Sequence, residues 1–274
     1  MAIQRDPMLE LPAIEAELNF LAPMTEKPFR YNYGPPPGKP ETNAVYEPKR
    51  VRINDVRPIA GRLSLDREGF ALIDSPSEVT DFDDEDAIRR VYYTEAERVF
   101  MSQTGATRVV LFDHTIRRAQ KQAARRPVNR VHVDQTERSG PNRVRQLLPD
   151  EADRFLQGRV RIINLWRPIK GPVLESPLAV CDAQTVARQD LVPSDLIYPD
   201  WTGETYAVTY NSEQRWFYFP HMRPQEALLL KCYDSATDGR ARFTPHAAFE
   251  DPTSPPGAPP RESIELRALL VGPD

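Results

Sequence analysis

Hydrophobic and polar positions change their rhythm near Gly158. Beyond it, apolar residues alternate with polar ones or form short runs bounded by turn residues, at 160–166, 178–181, 206–210, 215–219, 227–233 and 263–271. Successive side chains of a strand point to opposite faces, so each run predicts a β-strand. In 160–166, Val160, Ile162, Asn164 and Trp166 share one face, and Arg161, Ile163 and Leu165 the other. Asn211-Ser212-Glu213-Gln214, between two aromatic-rich strands, reads as a hairpin loop.

The first half is less regular. Residues 1 to about 80 read as irregular and short-strand structure, with strands at 50–53 and 70–73. Thr94 and Glu97 have capping-box spacing, Ala96, Val99 and Phe100 form an apolar stripe, and Gly105 is placed to end that helix in a left-handed conformation. A short strand at 108–112 follows, ending in Asp113-His114. A second helix is expected over 149–157, with Pro149 in its first turn and Gly158 as its stop.

No internal repeat is visible. Many short strands with a few helices predict a mainly β fold, a double-stranded β-helix (jelly-roll) core with flanking α-helices. We expect one domain over 1–274: an N-terminal extension packing on the core (1–80), helical support and a first ligand-bearing strand (81–157), and the main jelly-roll strands (158–274). The 28 prolines against 12 glycines refine this picture, because they cluster. Pro35-Pro36-Pro37 with Pro40 marks an extended loop, and five prolines from Pro252 to Pro260 mark another between two strands.

Composition narrows the function. With 40% hydrophobic residues the chain can bury a sizeable core, and 36 basic against 40 acidic residues, net −4, argue against a protein built mainly to hold nucleic acid. Cys181 and Cys232 have neither zinc-type nor redox spacing. No signal peptide or membrane-spanning run is visible, so the expected compartment is cytoplasmic.

Against that background His132-Val133-Asp134 is the most informative motif. On a strand, residues two apart offer an imidazole and a carboxylate to the same side. Such triplets also occur in turns and satisfied surface hydrogen bonds, so the motif needs context. The chain has four histidines: His114, His132, His221 and His246. His221 lies in a proline-bracketed loop, whereas His246 leads into Ala247-Ala248-Phe249 and precedes an arginine-bearing strand. We assign His246 as the third ligand and His221 as the weaker candidate. Two histidines and one carboxylate leave three coordination positions open, the arrangement of non-haem Fe(II) oxygenases.

If 261–271 is one strand, Arg261, Ser263, Glu265 and Arg267 share a face and Ile264, Leu266, Ala268 and Leu270 the other. A guanidinium there can hold the far carboxylate of 2-oxoglutarate; the plainer alternative is pairing with Glu262 and Glu265 on a solvated face. Asp113-His114 with Arg117-Arg118 either binds substrate or ends a strand in a solvated charge cluster. From Arg117 to Arg130 there are six basic residues without interleaved aromatics, which reads as a lid or a helix face. Trp201, Tyr206, Tyr210, Trp216 and Phe217 divide between core and pocket, and the sequence does not say how.

Several segments, taken in order, resemble a known family. They are Phe112-Asp113-His114-Thr115-Ile116-Arg117, His132-Val133-Asp134-Gln135-Thr136, Asn164-Leu165-Trp166-Arg167-Pro168, Glu226-Ala227-Leu228-Leu229-Leu230-Lys231-Cys232-Tyr233-Asp234-Ser235, Pro245-His246-Ala247-Ala248-Phe249 and Arg261-Glu262-Ser263-Ile264-Glu265-Leu266-Arg267. From about Leu18 to the end the chain is similar to the CmcJ/AsaB-like hydroxylase/desaturase family, itself similar to Fe(II)/2-oxoglutarate oxygenases. The resemblance implies His132, Asp134 and His246 as iron ligands, Fe(II), 2-oxoglutarate and O2 as cofactor and co-substrates, and an arginine of the last strand as 2-oxoglutarate anchor. Arg261, in an Arg-X-Ser pattern with Ser263, is the first choice and Arg267 the rival. One departure is Ala247, where the family pattern implies threonine.

The expected function is hydroxylation or desaturation of a small metabolite in natural-product metabolism. Nucleic-acid and membrane partners are not expected; a homodimer or a pathway-enzyme partner stays open. Two other readings remain: a non-catalytic jelly-roll partner of another biosynthetic enzyme, and a cupin-type metal enzyme that does not use 2-oxoglutarate.

Overall fold

The computed structural model describes residues 11–120 and 122–272. Its first seven strands are β1 (Ala13–Leu21), β2 (Phe29–Tyr31), β3 (Tyr46–Asp55), β4 (Phe70–Asp74), β5 (Arg108–Arg118), β6 (His132–Val133) and β7 (Val160–Pro168). The second seven are β8 (Leu178–Cys181), β9 (Leu191–Ile197), β10 (Thr202–Val208), β11 (Trp216–Tyr218), β12 (Glu226–Asp234), β13 (His246–Ala248) and β14 (Glu262–Val271). Helix α1 (Glu85–Ala87) runs through a wide turn at Ile88–Tyr92 into α2 (Tyr93–Thr104), and α3 (Ser139–Leu147) and α4 (Ala152–Phe155) follow β6.

Two sheets carry the strands, as a jelly roll requires. The larger has the order β1-β3-β11-β8-β13-β6-β10-β9-β2, and the smaller β4-β12-β7-β14-β5. Alternation along β14 shows how the layers are held. Leu269 and Val271 pack between the sheets with Leu18, Ile53 and Ile162, while Ile264, Leu266, Ala268 and Leu270 face outward onto Ala96 and Phe100 of α2. Burying Phe100 alone is worth about 2–3 kcal/mol in removed apolar surface. The outer face of the small sheet is therefore closed by helix, and Asn164 and Arg267 lie on its inner face.

β7, β8, β11, β12 and β14 match the period-2 reading closely, including the predicted division of faces on β7 and β14, whereas the 206–210 run is the end of β10, and β9 and β13 were not among the expected strands. Elsewhere the structure corrects it. The helix expected to begin at Thr94 begins about ten residues earlier, where the Asp84 side chain caps the Ala87 N–H; Thr94 Oγ1 bonds back to Arg90 O. Its end is as expected, with Gly105 at φ 65°. The 149–157 helix is the single turn α4, and α3 fills the stretch before it. Residues 1–10 of the expected N-terminal extension lie outside the described residues, and 11–80 hold more than short strands: β1 and β3, nine and ten residues long, pair antiparallel at one edge of the larger sheet. Asn211 to Gln214 is not a hairpin, because β10 pairs with β6 and β9 while β11 pairs with β3 and β8. That loop is instead gathered by the buried Asp190, which accepts from Asn211 Nδ2 and Gln214 Nε2. Residues 119–131 contain no helix among the described residues, which removes the helix-face reading of the basic segment; Lys121 lies outside the described residues.

Candidate metal centre

Strands β6 and β13 are adjacent and antiparallel, with His132 and His246 directly opposite one another. Opposed residues bring their Cβ atoms to about 5 Å. The two rings accordingly lie 4.4 Å apart between centroids. Asp134 follows β6 on the same side as His132, and one donor atom from each of the three residues falls within 4.8 Å of the others. His132 Nε2 is 3.5 Å from Asp134 Oδ1.

The tautomers follow from the second ring nitrogens. His132 Nδ1 bonds Arg130 O at 2.9 Å and His246 Nδ1 bonds Thr244 O at 3.0 Å. A carbonyl only accepts, so each Nδ1 carries the proton and each Nε2 offers a lone pair to the shared space. Burial, and then the neighbouring His246, push the His132 pKa down, against the opposing pull of Asp134. A neutral imidazole is the state a metal needs.

Asp134 is divided between its two oxygens. Oδ2 accepts from Asn164 Nδ2 at 2.8 Å and from Arg267 Nε at 2.9 Å, leaving Oδ1 toward the histidines. Burial alone would raise its pKa, but Arg267 and His132 hold the carboxyl well below its ordinary value. The donor set thus fits a divalent iron: two neutral imidazoles and an ionised, oriented carboxylate. Asn164 received no role from its sequence position, although a polar residue on the inward face of a fully buried strand was a signal available there.

The two arginines of β14 occupy opposite electrostatic situations. Arg267 donates to Asp134, Asp113, Thr115 and Glu265, and these carboxylates raise its pKa despite burial. Arg261 is 3% exposed, donates Nη1 to Ser176 O, lies over the Trp166 ring, and leaves Nε without a partner. No carboxylate bonds it among the described residues. Burial, then the nearby Arg117, bring its pKa down to about 9, still a cation at neutral pH. Arg117 faces Ser263 across the β5–β14 pair, so Arg261, Ser263 and Arg117 meet at one end of the interior.

A cavity of about 950 Å³ opens over His132, Asp134, Arg117 and Arg267. Its size suits a small organic ligand. His114 lines it too, with Tyr93 Oη on its Nδ1 at 3.0 Å and Glu85 3.2 Å from its Nε2, away from the His132–His246 pair. His221 is exposed in a turn at φ 54° and takes no part in the cluster.

Comparison with known proteins gives the frame for this geometry. A family model described as an oxidoreductase/YMDC permease-like domain matches residues 18–271. The hydroxylase/desaturase efuI of Hormonema carpetanum is 35% identical over 260 residues, 85% of this chain and 87% of that protein. The Fe(II)/2-oxoglutarate-dependent dioxygenase nvfI of Aspergillus novofumigatus is 32% identical over 94% of this chain and 96% of its own. A solved structure of the iron and alpha-ketoglutarate-dependent endoperoxidase NvfI superposes with TM-score 0.88 at 30% identity, over 96% of this chain and 99% of that one.

The chain belongs to the CmcJ/AsaB-like hydroxylase/desaturase family of Fe(II)/2-oxoglutarate-dependent oxygenases. It is accordingly a non-haem iron dioxygenase that uses 2-oxoglutarate and O2 and acts on small molecules. Despite the permease wording of the family description, no helix among the described residues is long and apolar enough to cross a membrane.

Proposed function

We propose that His132, Asp134 and His246 hold Fe(II), that Arg261 and Arg117 receive the remote carboxylate of 2-oxoglutarate with Ser263 beside them, and that Arg267 and Asn164 position Asp134. The observation that carries this reading is the division of Asp134: one oxygen is tied by Arg267 and Asn164 and the other is turned to two ring nitrogens with lone pairs. Iron and 2-oxoglutarate, when bound, supply the oxidising power that attacks an unactivated C–H bond. The protein's share is orientation. It fixes both imidazole tautomers, keeps Asp134 ionised, and places the substrate cavity against the ligand side of the cluster.

The choice of Arg261 over Arg267 rests on saturation. Arg267 has its donors engaged by carboxylates, and a second anion there would have to displace one of them. Arg261 and Arg117 are like charges near one another without carboxylate partners, and an anion between them relieves that repulsion. Arg267 then acts through Asp134 and is a positioning residue.

We infer a natural-product substrate, since the relatives carry names such as hydroxylase/desaturase and endoperoxidase. Hydroxylation, desaturation and ring closure differ by ångström-scale placement of the substrate carbon, so one scaffold serves all three. A cytoplasmic location goes with two free, buried cysteines. Succinate release, coupled to a screen of amino acids, peptides and terpenoid acids, tests the function. Substrate-stimulated succinate that requires Fe(II) and vanishes in His246→Ala is expected. Succinate formation that survives the loss of His246 would contradict the ligand assignment, and activity unaffected by Arg261→Ala would move the 2-oxoglutarate anchor to Arg267.

A further inference from the structure

The cavity over the metal centre is strongly cationic. Arg117, Arg125, Arg126, Arg130, Arg138 and Arg143 line it together with Arg267, against few carboxylates. Some of these charges are already compensated: Arg138 pairs with Glu204, and Arg267 with Asp134, Asp113 and Glu265. Arg125 and Arg126 are exposed, where solvent screens them. Arg117 donates to Arg126 O and faces the proposed 2-oxoglutarate end.

Arg143 is different. It projects from α3 into the cavity, and its guanidinium lies over two rings, 5.1 Å from the centroid of Phe112 and 5.6 Å from that of Trp201. Both rings are themselves positioned. Phe112 is the residue that the β5–β14 register skips, between Asp113 opposite Arg267 and Leu111 opposite Ala268, so a bulge sets its direction. Trp201 is stacked on Tyr198 at 4.2 Å and 7°. Aromatic faces stabilise a cation without consuming a single N–H. Among the described residues no hydrogen bond or ion pair reaches the Arg143 guanidinium; Asp113, the nearest acid by its electrostatic effect, is bonded to Arg267. The arrangement is thus a fixed fork of donors, partly stripped of water, in a cavity that also opens on His132 and Asp134.

We propose that Arg143, clamped by Phe112 and Trp201, is the receptor for a carboxylate of the oxidised substrate, so that the enzyme acts on an organic acid whose apolar body fills the cavity. The inference rests on the reading of this cavity as the substrate chamber and goes beyond it in naming the substrate class. A planar bidentate carboxylate satisfies the free edge of the guanidinium, while an amide or ester of the same shape lacks the charge. Anchored at Arg143, the substrate enters in one orientation, which decides the carbon presented to the centre.

The probes are 2-naphthoate and 2-naphthamide, equal in shape and different in charge. Binding is followed by the fluorescence of Trp201, which is 40% exposed while Trp166 and Trp216 are buried. Titrations use metal-free enzyme and enzyme loaded with Mn(II) and 2-oxoglutarate, so that the proposed co-substrate site is filled and no turnover occurs. The acid should bind at least about tenfold more tightly than the amide to the wild type, the discrimination expected of a charge-assisted hydrogen-bonded pair. Arg143→Gln should abolish that preference and leave amide binding within about twofold, while Arg143→Lys, which keeps the charge without the fork, should restore part of it. Thermal melting of both variants confirms that they fold. Equal binding of acid and amide to the wild type, absence of binding by either, or a preference that survives Arg143→Gln overturns the proposal. If Mn(II) and 2-oxoglutarate fail to load while the acid preference holds in metal-free enzyme, the iron and 2-oxoglutarate assignment fails and the substrate inference stands.

Discussion

The two sheets contribute to the centre in different ways. The larger one supplies His132 and His246 from neighbouring strands, each fixed by a bond to its own backbone two residues away. The smaller one supplies Asn164, Glu265 and Arg267: Asn164 and Arg267 reach Asp134, and Asn164 reaches Glu265, through bonds between residues far apart in the chain, while Arg267 also holds Glu265 two residues away. The geometry of the two proposed histidine ligands is therefore local on one side, and the charge balance that holds the Asp134 pKa down is assembled between the sheets on the other. The same contrast recurs along β14 and the residue before it, where Arg267 is compensated several times over and Arg261 is a buried cation that, among the described residues, no carboxylate bonds, with Glu265 and Glu175 acting on it only from a distance. A protein keeps such a cation where something else supplies the anion.

The largest effect expected is on the ligand side. His246→Ala should eliminate Fe(II)-dependent turnover while the far-ultraviolet circular dichroism stays that of a β fold; metal-dependent activity persisting in this variant would break the division between the sheets. On the opposite side, Arg267→Ala should cost about 3–5 kcal/mol of stability in denaturant unfolding, because Asp134 and Glu265 then remain buried without their cation. Arg261→Met, in the same assay, should leave stability unchanged or slightly higher, since it removes a buried charge with no carboxylate partner. Equal losses for the two substitutions would erase the distinction drawn here.

Asn164→Ala sharpens the comparison at smaller amplitude. It removes one of the two donors on Asp134 Oδ2 and should weaken Fe(II) binding by roughly tenfold, measured by competition with a chelator, with little change in 2-oxoglutarate affinity. Fe(II) affinity identical to the wild type would show that Arg267 alone orients the ligand.

The smallest effect concerns pH and lies away from the centre. Burial tends to raise the Asp66 pKa, but the hydrogen bonds and charges of Lys231 and Arg159 outweigh it and bring the group down to about 2. A carboxyl held below its unfolded value contributes stability that is fully present above about pH 4 and is lost as pH falls toward 2. Asp66→Asn should therefore flatten the decline of the urea midpoint over that interval. The change should be modest, because the Asp66 side chain is half exposed. An unaltered acid limb would mean that Asp66 gains nothing from its two cations.

Much of this fold is written in the sequence, for a physical reason. Strands β7, β8, β12 and β14 are buried on both faces or alternate cleanly, and their side-chain period survives whatever partners they find. The His132–Asp134 spacing and the shared inner face of Arg261, Ser263, Glu265 and Arg267 follow from the same period. What was hidden depends on partners far along the chain. β3 runs beyond its legible stretch 50–53 because it pairs with β1 along its length and with β11 at its end; β1 itself alternates Ile14, Ala16, Leu18 and Phe20 with Glu15, Glu17 and Asn19, a signal that was open to reading. Helix α3, with Gly140 and Pro141 near its start and few apolar residues, offers little periodic signal. The sequence places Arg261 and Arg267 on one face; Asp113 and Asp134, brought in from more than a hundred positions away, together with Glu265, set Arg267 apart.

Anaerobic titration of the Fe(II) enzyme with 2-oxoglutarate separates the roles of the two arginines. The wild type should develop the weak visible metal-to-ligand band of bound 2-oxoglutarate. In Arg261→Ala the same band should require roughly thirtyfold more 2-oxoglutarate, the loss expected when one partner of a buried charge pair is removed, with Fe(II) affinity unchanged. A titration midpoint identical to the wild type in Arg261→Ala, or no band in folded, iron-loaded wild-type enzyme, would contradict the account.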